Sequence, residues 1–210
     1  MKLYIVGASG KIGQPLVQAA LAAGHEVGGV VLNASKFTLQ HDKLHILEGD
    51  ATDQQFVDKT LAGYDAVISV IGHNRYTPIE MQSDAMRVLT AAMQQHGIKR
   101  IVSLTGNGVF TAGETPSLLD RFLTAALLFV DPKRVQDGIK HVEVLKDSQL
   151  DWVVLRTPKH RNAKQTSKYV VRPTIKHVSL TVSRPNIVAC LLELATMKEV
   201  VNRLPVISSR

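Results

Sequence analysis

Residues 5–16 read IVGASGKIGQPL: an apolar run ends in three glycines, Gly7, Gly10 and Gly13, and an apolar pattern with helical spacing follows. A strand that breaks into a tight glycine turn and restarts as a helix presents backbone N–H groups and the positive end of the helix dipole to an anion. Gly7 permits the sharp turn, Gly10 lets a pyrophosphate approach the backbone, and Gly13 lets the helix pack on the strand. The turn stands at the first strand of a strand–helix–strand unit, so the pattern points to a bound dinucleotide and confines the chain to one class of fold.

That class is legible further along. Strand-like runs occur at 2–6, 26–32, 44–49, 66–72, 100–106 and 151–156, and helix-like segments at 12–23, 53–61, 80–96 and 133–148 lie between them. Short, continuously apolar strands suit a parallel sheet covered on both faces, so the alternation predicts an α/β, doubly wound Rossmann-type sheet. Asp53 is placed to cap the helix that follows it, and Gly24 and Gly97 fall where helices should stop. The 210 residues suit one domain; 157–210, with a helix-like 185–197 and a final apolar LPVI, is expected to complete the sheet and cover one side of a cleft. Met1-Lys2 runs straight into LYIVG, which lacks a signal-peptide core, and the longest apolar run, 122–130, is about half a membrane span. A cytoplasmic protein is expected on this basis, with Cys190, among apolar residues at helical spacing, as a buried thiol.

An acidic residue at the end of the second strand would hold the ribose hydroxyls of NAD. This chain has VVLNASKF at 30–37 instead, with no Asp or Glu. A carboxylate there would repel the extra phosphate of NADP, whereas Lys11, Asn33, Ser35 and Lys36 could donate to it. NADP is therefore weakly preferred over NAD as the expected cofactor.

GASGKIG at 7–13, GHEVGGVVLN at 24–33, EGDATD at 48–53, GIKRIVSLTG at 97–106 and DSQLDWVVLRTP at 147–158 together resemble the atypical short-chain dehydrogenase/reductases, in particular the NmrA-like and flavin (biliverdin B) reductase-like NAD(P)-binding proteins. The resemblance implies that Gly7, Ser9, Gly10, Lys11, Ile12 and Gly13 contact the pyrophosphate region, and that Asp50 and Ala51 bracket the adenine. It further implies that Val70, Ile71 and Gly72 pass under the nicotinamide ribose, with Thr105 at the cleft end of the fifth strand and Pro158 lining the nicotinamide pocket. Leu32 stands where NADP-preferring members carry an Arg, and it cannot clamp a phosphate. The Tyr-x-x-x-Lys pair of the wider family, counted back from Glu143, falls on Val135 and Ile139, neither of which can move a proton. Gly106 stands where the flavin-reductase relatives have a Ser.

A flavin or quinone can accept a hydride without a positioned acid, because its reduced anion is already stabilised, whereas an alkoxide needs a donor in place. The sequence therefore favours an NAD(P)H-dependent reductase of a conjugated acceptor, with Thr105 and Asn107 as hydrogen-bonding candidates. The alternative is a non-catalytic NAD(P)-binding redox sensor that signals to a protein partner; an epimerase would also want the missing pair. His73, Asn74, Arg75 and Tyr76 form a polar cluster after the fourth strand, while His141 lies within a helix and reads as structural or surface. The net charge of +7 is uneven, with 15 Lys/Arg against 7 Asp/Glu from Asp131 onward and 10 against 11 before it. Lys159, His160 and Arg161 could attract an anionic substrate. Nucleic acid is not expected, since 159–177 has one aromatic, Tyr169, and no helix-turn-helix spacing. No metal-ligand spacing and no G-x-S-x-G elbow occur.

Overall fold

Strands that are apolar on both faces must be covered on both sides, and the observed sheet is built that way. The structure is a computed structural model that describes residues 1–73, 77–110, 131–175 and 178–210, together with 118, 121, 122, 125 and 129. Strands β1 (Lys2–Val6), β2 (Glu26–Val31), β3 (Leu44–Glu48), β4 (Ala66–Ser69), β5 (Arg100–Gly106) and β6 (Asp151–Thr157) run parallel in the order β3-β2-β1-β4-β5-β6. Between β6 and the chain end come β7 (Lys159–Arg161), β8 (Tyr169–Arg172), β9 (Thr181–Ser183) and β10 (Val206–Ser209). β10 adds to β6 in parallel and β8 closes that edge antiparallel, while β7 and β9 form a separate parallel ribbon.

Helices α1 (Gly13–Ala22) and α5 (Arg184–Thr196) cover one face, with Leu16, Val17, Ile187 and Leu191 packed on Leu3, Ile5, Ile68 and Val102. On the other face lie α2 (Gln54–Leu61), α3 (Met81–Gln95) and α4 (Pro132–Asp147), whose Val57, Leu89, Met93 and Leu145 meet Tyr4, Val67, Ile101 and Val154. The strand order reverses direction between β1 and β4, which opens a crevice at the carboxyl ends of the strands, where this class of sheet takes ligands.

The expected elements are present, with shifted ends. β4 stops at Ser69, three residues short of the apolar run, because its neighbour β1 ends at Val6, the partner of Ser69, and beyond it the chain enters the glycine turn. Val70, Ile71 and Gly72 therefore lie in a loop. β6 instead runs one residue further, to Thr157, because β5 pairs with it up to Gly106. α2 starts on the Asp53 side chain, which accepts from the Gln55 and Phe56 amides. Gly24 and Gly97 follow α1 and α3 with positive φ of 85° and 69°. The basic tract 159–177 contains β7 and β8, and LPVI supplies the first half of β10.

Candidate cofactor and acceptor site

The turn between β1 and α1 is tight enough to exclude side chains. Gly7 has φ +84°, and a Cβ there would come within 3.2 Å of the Val70 backbone. A Cβ on Gly13 would fall 2.1 Å from the Gly7 carbonyl oxygen, so α1 presses directly on the turn. The Gly10 amide donates to that same carbonyl at 3.0 Å, which closes the turn. α1 begins at Ile12 with no capping side chain and no acidic residue in its first turn, unlike α2, α4 and α5, which are capped by Asp53, Asp131 and Ser183. An uncapped helix start beside a glycine cradle, flanked by exposed Ser9 and Lys11, is the donor set a pyrophosphate requires. The residues present therefore fit a dinucleotide.

At the end of β2, Leu32 is 69% exposed and offers no charge. Asn33 accepts from the amide and hydroxyl of Ser35 at 2.9 and 2.6 Å, which spends its carbonyl oxygen on the 3₁₀ turn Ala34–Lys36 and leaves only its NH₂ for a ligand. The side chain of Lys36 lies outside the described set. Asp50, after β3, is turned back on the Thr52 amide and hydroxyl, both at 2.9 Å, and Ala51 beside it is buried.

The loop after β4 carries the least expected feature. His73 donates from Nε2 to Asp137 of α4 at 2.8 Å, with the two side chains 8% and 0% exposed. Asp137 also accepts the Gln82 and Ser83 amides at 2.9 and 3.0 Å, so α4 supplies the N-terminal cap that α3 lacks. The Gln82 side chain in turn donates to the Ile71 carbonyl at 2.7 Å. One carboxylate thus pins the β4 loop, the start of α3 and the middle of α4 together. Asn74, Arg75 and Tyr76, the rest of the polar cluster, lie outside the described residues.

β5 and β6 end side by side. Gly138 of α4 sits over Thr105, whose Oγ1 would be 3.0 Å from a Cβ at that glycine, so the Thr105 hydroxyl faces α4. The Asn107 amide donates to the Thr157 carbonyl at 3.2 Å, and the Thr157 hydroxyl donates to the Thr105 carbonyl at the same distance. That hydroxyl has one hydrogen, so His160, 2.8 Å from it, is the donor in its own contact. Asn107 Oδ1 is buried and has no partner among the described residues. Pro158 is buried between Thr157 and the exposed Lys159. On α4, Val135 is half-buried and Ile139 exposed, whereas the face that carries Asp137 and His141 is buried. His141 bonds Ser103 at 2.8 Å, and burial lowers its pKa to about 4, against the opposing pull of Asp137. Cys190 is buried, with its thiol pushed up to about 12 by burial and by Glu193.

Sequence reasoning missed Asp137 entirely. Its signal lay in Glu80, which precedes α3 and makes no cap, but the partner is about fifty residues further on and carries no motif. No group of three His, Cys, Asp or Glu side chains among the described residues is placed to hold a metal. No described helix is long and apolar enough to cross a membrane.

Comparison with known proteins agrees with this fold. The uncharacterized protein YwnB of Bacillus subtilis is 40% identical over 72 residues, 34% of this chain and 32% of that protein; curated relatives of this kind are matched over about a third of their length. A short-chain dehydrogenase/reductase from Veillonella parvula in complex with NADP superposes with a TM-score of 0.82 at 19% identity, covering 99% of this chain and 94% of the other. ChuY, an anaerobillin reductase from Escherichia coli O157:H7, gives 0.80 at 21%, covering 100% and 97%. Both share the fold. The family model described as NAD(P)H-binding matches residues 7–198, the span from the glycine turn through α5, and the chain belongs to that family.

Proposed function

We propose that this protein is an NAD(P)H-dependent reductase that passes a hydride to a conjugated acceptor such as a flavin or quinone. The observation that carries the reading is the glycine cradle at Gly7, Gly10 and Gly13, taken with Val135 and Ile139, which stand where the family resemblance would put the proton-donating pair. A chain that holds a reduced nicotinamide without that pair suits an acceptor whose reduced form is stable as an anion. The Veillonella relative with NADP supports a phosphorylated cofactor; the absence of a carboxylate in 30–37 permits it.

When bound, the nicotinamide supplies the hydride. The turn amides hold the pyrophosphate, and Val70, Ile71 and Gly72 support the nicotinamide ribose. Asn107, whose buried Oδ1 has no partner among the described residues, accepts a hydrogen bond from a ring N–H of the acceptor, while Thr105 and Pro158 shape the pocket wall. Contact and orientation, rather than general acid catalysis, carry the rate.

Titration with NADPH and NADH by fluorescence, followed by a flavin and quinone panel with the absorbance of the reduced cofactor recorded, tests the reading. Oxidation well above the free-cofactor rate is expected, and Asn107→Ala should lower kcat/KM about tenfold, the worth of one hydrogen bond at a desolvated site. Tight cofactor binding with no oxidation of any acceptor would instead support a redox-sensing regulator.

A further inference from the structure

Between Asp151 and Glu193 the chain has no acidic residue, yet it carries eight Lys and Arg. Arg156 is one of them, and it is consumed in the core, where it donates to the Val109 and Leu204 carbonyls at 3.1 and 2.7 Å. Lys176 lies outside the described residues. Lys159, Arg161, Lys164, Lys168 and Arg172 are exposed, and none of them, nor Arg184, forms an ion pair among the described residues. Every described ion pair lies in the first 140 residues, where acid and base are balanced.

This positive surface is tied to the site. The β7–β9 ribbon starts immediately after Pro158, and His160 donates to Thr157, whose hydroxyl and carbonyl hold Thr105 and Asn107. Arg184 follows β9, donates to Asn162 beyond β7, and has a buried Nε with no partner among the described residues. Burial and the neighbouring Arg184 together hold the pKa of His160 below its ordinary value, as positive charge without a compensating carboxylate would. The adenosine end of a dinucleotide belongs beside β2, four strands from β6, about 19 Å away at the usual strand spacing. The charge therefore lies on the acceptor's side of the cleft.

On the reductase reading given above, we propose that the β7–β9 ribbon, with Lys159, Arg161 and Arg184, is the docking surface for an anionic acceptor: a planar conjugated molecule that bears phosphate or carboxylate groups apart from its reducible ring. The uncompensated field attracts such a ligand over a Debye length and holds its anionic tail while the ring lies against Asn107. A nucleic acid suits this surface less well, because its one aromatic, Tyr169, is committed through its hydroxyl to Glu193 at 2.9 Å.

Riboflavin and its 5′-phosphate, FMN, have the same ring and differ in one anionic group, so they separate charge from shape. Their equilibrium binding to the purified protein, read by flavin fluorescence at about 20 and about 300 mM salt, is expected to favour FMN about tenfold at low salt and to lose most of that preference at high salt. The double variant Lys159→Gln/Arg161→Gln should bring FMN down to the affinity of riboflavin, while riboflavin and NADPH affinities stay within about twofold, the range expected for substitutions at exposed sites. Equal binding of the two flavins by the wild type, an equal loss of both in the double variant, or stronger binding of an oligothymidylate that displaces FMN would overturn the proposal. Because binding is read without turnover, an FMN preference with no cofactor oxidation would defeat the reductase reading alone, and oxidation with no FMN preference would defeat this one alone.

Discussion

Gly13 has the least room of any residue in the cofactor turn. An alanine methyl there would overlap the Gly7 carbonyl at 2.1 Å, and that atom is backbone fixed by the Gly10 amide, so it cannot swing aside. Gly13→Ala should therefore lower stability by about 2–3 kcal/mol, within the range for overpacking, and abolish NAD(P)H binding, as thermal denaturation and fluorescence titration would register. Asp137 is the second residue on which much depends, since three donors converge on its two oxygens. In Asp137→Asn the new NH₂ must face at least one of them, which weakens the clamp that joins the β4 loop, the start of α3 and α4. NAD(P)H affinity is expected to fall about tenfold, the worth of one or two hydrogen bonds, while ADP, which lacks the nicotinamide half, binds as before. Equal losses for both ligands would show that Asp137 serves only the stability of the fold.

Among the elements, α5 is held at its C-terminal end by a side chain from the opposite end of another strand. The Arg100 guanidinium donates to the Leu194, Met197 and Val200 carbonyls, the last two at 2.9 and 2.6 Å, which satisfies acceptors left over at the helix end. Arg100→Met keeps the length of the chain but strands those carbonyls, and should cost about 3 kcal/mol in urea denaturation. Caps of this kind divide by range. The Asp53 and Ser183 caps act within three residues and can be read directly from the sequence, whereas Asp137 on α3 and Arg100 on α5 reach across 54 and 94 positions. For the same reason, the ends of β4 and β6 were displaced from the apolar runs: a strand ends where its neighbour does, and the neighbour is set by the sheet.

For the whole molecule, the buried His141 imposes a pH dependence. Its pKa is lowered from 6.5 to about 4 in the folded chain, so between these values the unfolded chain binds a proton that the native one does not. Stability should thus be full above pH 6.5 and fall as the pH drops toward 4, by roughly 3 kcal/mol over the window. Unfolding free energies measured across pH 4–7 should show that slope in the wild type and its loss in His141→Gln, which retains a partner for Ser103.

The sequence alone determined what depends on a few neighbouring residues. The glycine turn, the alternation of apolar strands with helices and the Asp53 cap are properties of local backbone sterics and of hydrophobic period, and these act over a turn or a strand length. Tertiary structure alone decided what depends on which strands are neighbours. The order β1-β4-β5-β6 brings His73 to Asp137 and His160 to the Thr157 that holds Thr105 and Asn107, and it places the acid-free basic ribbon just beyond the end of β6. Hydrogen bonds form only between groups within about 3 Å, and no local pattern fixes which distant residues the sheet brings that close.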